Sequence, residues 1–130
     1  MSARRAYPDQ IDPALTLGAS QSVPSGQPVE LFEVLIDELG SETWLRFRFI
    51  APQIAHTENA LSFEQVQTDF EHLCAFVAVP YMDEFTLEAD VVVITLLDRH
   101  VDFGVSDPDA VQLIEAFRVD GGLCEWEGLL

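Results

Sequence analysis

The sequence contains no lysine, and its six basic residues are all arginines. Aspartate and glutamate together number 23, which gives the 130-residue chain a formal net charge of -17. A surface of this sign repels the phosphates of nucleic acids and anionic lipids, and it attracts cations or a basic partner. DNA and RNA are therefore excluded as expected partners. The same charge is also typical of a protein that simply stays soluble in a salty medium.

An apolar segment long enough to enter a membrane is also missing. No stretch approaches the roughly 20 apolar residues that span a bilayer, so membrane insertion is not expected. The first residues, 1–5, lead into no apolar segment of the kind that signal peptides contain. Either a leader has been removed and a start methionine added, or the protein stays in the cytosol.

Cysteine is scarce, with Cys74 and Cys124 as the only two. One pair is the minimum for a disulfide, and the residues alone do not establish the bond. A disulfide would indicate an oxidising compartment, whereas free thiols are typical of the cytosol.

The composition is otherwise that of a folded globule of one domain, with 48% hydrophobic residues and nine phenylalanines. Residues 1–28 hold four of the seven prolines and no sustained periodicity, which predicts an extended or flexible N-terminal arm. Regular structure is expected to begin at Val29, and residues 29–130 are expected to form a single domain.

Two segments near the start of this domain predict a β-hairpin, residues 29–36 and residues 43–50. In the second segment three apolar side chains alternate with Arg46 and Arg48, as in a strand with one face buried. We expect the two arginines to pair with carboxylates on the neighbouring strand. The candidates for these carboxylates are Glu30, Glu33 and Asp37.

The segment around which the chain is organised is the β-branched run from Val91 to Leu97, which predicts a strand buried in the middle of a sheet. Before it, apolar residues at helical spacing predict a helix from Phe63 to Val79, with Ser62 as N-cap and Pro80 as its end. The apolar stripe of this helix includes Cys74 and should pack on the sheet.

The C-terminal segment is ambiguous over residues 109–118, where both helix and strand patterns occur. We favour a helical turn near 108–111 followed by a hairpin around Asp120, Gly121 and Gly122. Residues 101–104 are expected to form a short second piece of strand. The predicted fold class is therefore α+β, a small, mostly antiparallel β-sheet with one main helix packed on it.

The most chemical-looking cluster is Asp98, Arg99 and His100 with Asp102, at the end of the central strand. His100 beside carboxylates has the composition of a general base. The alternative is an Arg99 ion pair that stabilises a turn, with His100 in water. We favour the ion pair, because no serine or cysteine nucleophile is placed near the cluster, and we assign no catalytic residue.

Metal and cofactor sites are not expected either. His72 and Cys74, with Cys124 and either His100 or His56, have the donor types of a soft-metal site. However, His72 and Cys74 are two residues apart on a predicted helix and point in opposite directions. The acidic run lacks the spacing of an EF-hand calcium loop. This run comprises Asp83, Glu84, Glu88 and Asp90.

Several short motifs together carry a resemblance to a known family, and they span residues 23 to 127. They are Val23-Pro24-Ser25-Gly26-Gln27, Arg46-Phe47-Arg48-Phe49-x-Ala51-Pro52, Leu97-Asp98-Arg99, Phe103-Gly104, Glu115-Ala116-Phe117-Arg118 and Cys124-x-Trp126-Glu127. The set resembles a family of small uncharacterised alphaproteobacterial proteins that are usually made with a cleavable export signal.

The resemblance implies a periplasmic or secreted location and a disulfide between Cys74 and Cys124. It implies no activity and no functional residues, because none is established for the family. Some relatives circulate under the label acetolactate synthase. This chain contradicts that label, because it is far too small for a thiamine-diphosphate enzyme and lacks the Gly-Asp-Gly…Asn cofactor segment.

Two functions from different classes follow. The first is a non-enzymatic exported domain that binds a protein partner through an exposed face or the edge of its C-terminal strand. The alternative is an acidic cytosolic decoy that mimics nucleic-acid phosphate and captures a basic protein. The state of the two cysteines distinguishes them, because such a decoy works in a reducing cytosol.

Overall fold

The structure is a computed structural model that describes residues 3–5, 17–55, 57 and 60–128. Its strands are β1 (Ala3–Arg5), β2 (Ser20–Gln21), β3 (Val29–Leu39), β4 (Glu42–Ile50), β5 (Val91–Leu97), β6 (Gln112–Asp120) and β7 (Leu123–Gly128). They form one sheet in the order β1-β3-β4-β5-β6-β7, and β2 also pairs with β3. All pairs are antiparallel except β4 with β5. With one helical segment packed on this sheet, the predicted α+β class is confirmed.

The central position of β5 is also confirmed. All seven of its residues are buried, and it lies between β4 and β6. Val92, Ile94 and Leu96 belong to the main core beneath the helices. Val91 and Val93 belong to a smaller apolar cluster on the opposite side of the sheet. We call the first side the helix face and the other the second face.

The predicted hairpin of β3 and β4 is present, and the arginines of β4 are paired as expected. Arg46 binds Asp37 at 3.1 Å, and Arg48 binds Glu33 at 2.6 Å, both on the second face. Arg48 also donates to the carbonyl oxygen of Val101 at 2.7 Å. These contacts attach the loop that follows β5 to the second face of the sheet.

The helical segment is longer than predicted, and its expected end at Pro80 is wrong. Helix α1 (Phe63–Leu73) continues into a π-helical turn (Cys74–Ala78) and then into α2 (Val79–Glu84). The N–H of Val79 donates to the carbonyl of Cys74, five residues back. Pro80 therefore lies in the first turn of α2, a position at which proline is tolerated. The predicted N-cap is confirmed, since Ser62 and Gln65 form a capping box.

Regular structure begins before Val29, which corrects the expected start, because β1 and β2 both pair with β3. Asp69 of α1 is fully buried and accepts hydrogen bonds from the N–H and hydroxyl of Ser25 and from the side chain of Gln27. Residues 17–28 are thereby held against the domain. Residues 1, 2 and 6–16 of the predicted arm lie outside the described residues, and the division at residue 28 stays a prediction.

The C-terminal hairpin is confirmed, with residues 112–118 forming strand. Gly121 and Gly122 both have positive φ, 58° and 82°, as a two-residue hairpin turn requires. No helix forms at the helical turn expected near 108–111; the segment is a hydrogen-bonded turn in which the N–H of Ala110 donates to the carbonyl of Asp107. The strand expected at residues 101–104 is wrong, since Gly104 has a φ of 83° and the segment is a turn.

Candidate functional site

The structure divides the predicted cluster at the end of β5. Asp98 is buried, and its carboxylate accepts hydrogen bonds from the backbone N–H of Val111 and from the Arg99 guanidinium, each at 2.8 Å. Burial by itself raises the pKa of Asp98, but these hydrogen bonds outweigh it and hold the pKa below the ordinary value of 3.8. Asp98 therefore acts as an acceptor that holds β5, Arg99 and the residue before β6 together.

The other members of the cluster are exposed and point to different surroundings. The Arg99 side chain is 48% exposed even though it is paired with Asp98. The His100 ring packs on Phe32 with centroids 4.9 Å apart. Within the described part of the chain, His100 makes no hydrogen bond with Asp98 or Asp102. The four residues therefore do not converge on one point where a reacting group would sit.

Asp102 lines a cleft of about 330 Å³ between the loop after β5 and the second face. Arg46 and Arg48 form part of its floor, with Phe103 over both guanidinium groups at 5.4 and 5.6 Å. Because Asp37 and Glu33 neutralise these arginines, the cleft does not present an excess of positive charge. The aromatic contacts explain how the loop is packed on the sheet.

Cys74 and Cys124 form a disulfide that joins the π-helical turn to β7, as the family resemblance implies. The two sulfur atoms that the soft-metal hypothesis needs as ligands are therefore bonded to each other. His56, named in that hypothesis, lies outside the described residues. Within the described ranges, no three His, Cys, Asp or Glu side chains are grouped to hold a metal ion.

β7 is the last strand of the sheet, and its outer side pairs with no other strand among the described residues. The backbone N–H of Val119 donates to the carbonyl oxygen of Asp90 at 3.2 Å, on the side of β6 that faces β5. Because this N–H points away from β7, Val119 and Cys124 form a non-hydrogen-bonded pair of the antiparallel ladder. The N–H of Cys124 consequently points away from β6. The backbone N–H of Trp126, two residues further along the strand, points outward in the same way. The outer side of β7 thus presents the backbone N–H groups of Cys124 and Trp126, which pair with no strand among the described residues.

Large apolar side chains lie along this open edge. Trp126 is 60% exposed on the helix face, and Leu123 is 67% exposed on the second face. Glu125 and Glu127 follow Leu123 on the second face of the strand, and Trp126 lies between them on the helix face. We call the outer side of β7 with Leu123 and Trp126 the docking edge.

The edge of the C-terminal strand is one of the two binding surfaces expected from the sequence, but the sequence singles out none of the residues of the docking edge. The alternation of Cys124 and Trp126 with Glu125 and Glu127 is a visible signal of a strand with two different faces. Whether such a strand lies at an edge depends on the order of strands in the sheet, which the local pattern does not contain.

A family model describes most of the chain. It matches residues 8–129 and represents a family of unknown function, DUF6497. The chain belongs to this family. No curated protein and no solved structure matches the chain. In the described part of this family member, no helix has the length and apolar character needed to cross a membrane.

Proposed function

We propose that this family member is a non-enzymatic binding domain that captures an extended, basic segment of a partner protein by adding it as a strand to β7. The observation that carries the proposal is the docking edge itself, the side of β7 that pairs with no strand among the described residues, with exposed apolar side chains on both faces. Soluble proteins usually protect such edges with lysine, proline or a covering element, because an exposed edge invites pairing with another chain. Strand addition uses this geometry for recognition, with backbone hydrogen bonds for affinity and side-chain contacts for specificity.

The charge of the chain supports a basic partner. The chain carries a net charge of -17, and the docking edge itself includes Glu125 and Glu127. Arg118 pairs with Glu127 at 2.7 Å and also with Glu42, which leaves Glu125 as an exposed carboxylate on the same side. A partner segment with lysines or arginines would approach this surface favourably, whereas a second copy of this acidic chain would be repelled.

We place this domain in an oxidising compartment, the periplasm or the cell exterior. The disulfide between Cys74 and Cys124 supports that location, since such bonds persist where thiols are not kept reduced. The acidic charge also supports the alternative, a cytosolic decoy for a nucleic-acid-binding protein. The disulfide favours the exported binding domain over the decoy.

The experiment uses a ten-residue peptide of alternating lysine and valine, with blocked ends, titrated into the protein by calorimetry. We expect one peptide to bind per protein. A peptide of alternating glutamate and valine should not bind, and one with N-methylated backbone amides should bind much more weakly, because it cannot complete the strand hydrogen bonds.

Leu123→Ser and Val105→Ser form a matched pair of variants, since both residues are exposed apolar side chains and only Leu123 lies on the docking edge. Leu123→Ser should weaken binding of the lysine peptide by roughly three- to tenfold, and Val105→Ser should leave it unchanged. Equal binding by the N-methylated peptide would contradict strand addition. A dimer in sedimentation that the peptide does not dissociate would identify a second copy as the occupant instead.

A further inference from the structure

A pocket of about 180 Å³ lies between α1 and the strands β6 and β7, next to the docking edge. Three aromatic side chains form its walls, Phe70 from α1, Phe117 from β6 and Trp126 from β7. The polar groups that line it are Gln67, Glu71 and Glu115. The pocket therefore combines aromatic walls with two carboxylates, and no basic side chain contributes to its lining.

Glu115 differs from an ordinary glutamate of a pocket lining because it is buried, with only 2% of its surface exposed. One carboxylate oxygen, Oε2, accepts a hydrogen bond from the indole N–H of Trp126. Within the part of the chain that the structure describes, no group donates to the other oxygen, Oε1, and Oε1 is not one of the buried side-chain atoms that lack a partner. Oε1 is therefore the oxygen that the pocket leaves accessible. A largely buried carboxylate is stabilised when a cation pairs with it.

The protein supplies no cation to this carboxylate from the neighbouring strands. Arg118 is the nearest arginine in sequence, but it lies on the second face of the sheet, where it binds Glu42 and Glu127, each at 2.7 Å. Arg46 and Arg48 are on the second face as well, paired with carboxylates of β3. Glu115 faces the opposite side, toward α1.

We infer that this pocket receives a lysine or arginine side chain of the segment that docks on β7, with Glu115 as the ion-pair partner. The inference rests on the proposed function and adds the feature that selects the partner. Neighbouring strands are about 4.8 Å apart, so a docked strand would lie about 10 Å from β6. A long side chain together with that of Glu115 spans this distance. Its aliphatic stem would pack on the aromatic walls, and its charged end would reach the Trp126 ring and Glu115.

The test replaces each lysine of the alternating lysine–valine peptide in turn by norleucine, which keeps the stem and removes the charge. If one lysine enters the pocket, replacement at one position should weaken binding on the order of 10- to 100-fold, and replacement at the others should have little effect. Shortening the lysine at that position to diaminobutyrate should also weaken binding.

Glu115→Gln keeps the size of the side chain and an oxygen acceptor for Trp126, and it should abolish the difference between lysine and norleucine at that position. Glu84→Gln is the matched control, since Glu84 is exposed at the end of α2 and the variant changes the net charge equally. Persistence of the lysine preference in Glu115→Gln, or equal losses at every lysine position, would overturn the pocket and leave strand addition intact.

A second measurement keeps the pocket testable if no peptide binds. n-Butylguanidinium is titrated while the indole N–H resonance of Trp126 is followed by NMR. A shift that saturates in the wild-type protein and is absent in Glu115→Gln would support a cation pocket, although strand addition had failed. Binding of this free cation as tight as that of the peptide would overturn the assignment to a partner's side chain. No shift, in the absence of peptide binding, would overturn the pocket itself.

Discussion

The carboxylate of Asp98 joins the end of β5 to the residue before β6 and to Arg99. Asp98→Asn removes the charge and keeps the shape. We expect the free energy of unfolding at pH 7 to fall by about 1–3 kcal/mol, since a buried acceptor loses charge-assisted hydrogen bonds. Urea unfolding measures the change. His100→Ala is the control at the same turn, and it should lie within about 0.5 kcal/mol of the wild type, because His100 is exposed.

The difference between wild type and Asp98→Asn should depend on pH in a definite direction. Because the pKa of Asp98 is lowered in the folded state, its stabilising effect is fully present above its ordinary value of 3.8 and is lost as the pH falls through and below that value. The two stabilities should therefore converge in acid. A constant difference from pH 7 to the acid range would show that the charge of Asp98 is not what holds the turn.

At the level of elements, the connection between β4 and β5 depends on how the chain accommodates Pro80. A proline inside a regular helix costs about 3 kcal/mol, so Pro80→Ala would stabilise the protein if Pro80 interrupted the helix. Because Pro80 instead lies in the first turn of α2, we expect Pro80→Ala to destabilise the protein by about 0.4–1 kcal/mol, through the greater freedom of the unfolded chain. Thermal or urea unfolding decides between the two signs.

The bond between Cys74 and Cys124 holds β7, the strand of the docking edge, to the helical layer. The two cysteines are 50 residues apart, and closing a loop of this length is worth about 4 kcal/mol in the chain-entropy model. The double variant Cys74→Ala with Cys124→Ala should lose about 2–4 kcal/mol of unfolding free energy and bind the lysine peptide more weakly. Two alkylated thiols in unreduced, denatured protein from its native compartment would contradict the bond.

The elements that the sequence predicts correctly are those with a strong local pattern. Alternation places Arg46 and Arg48 on one face of β4 and thereby predicts their pairing with β3. The buried run of β5 predicts its central position. The pattern fails where the outcome depends on distant contacts, because β1 is three residues long and is defined only by its register with β3. The sequence predicts a helix end at Pro80 because a π-helical turn leaves no clear mark in the sequence.

For the whole molecule, the sequence predicts the charge, the class of fold and the C-terminal strand edge as one possible binding surface, whereas the residues of the candidate site emerge only from the arrangement of the sheet. Glu115 belongs to an ordinary strand pattern, and nothing in that pattern indicates that α1 buries its carboxylate without a cation. The open side of β7 likewise follows from the order of all the strands. Both features of the proposed site are therefore properties of the tertiary structure, combined with an acidic composition that is visible from the start.

The central claim is that a basic segment adds to β7 as a strand, and amide hydrogen exchange measured by NMR tests it most directly. In the free protein the outward-pointing N–H groups of Cys124 and Trp126 should exchange rapidly, while that of Glu125, which pairs with β6, should be protected. With the lysine–valine peptide bound, exchange at Cys124 and Trp126 should slow on the order of tenfold or more, with Glu125 unchanged. Saturating peptide that leaves both outward amides in rapid exchange would contradict the claim.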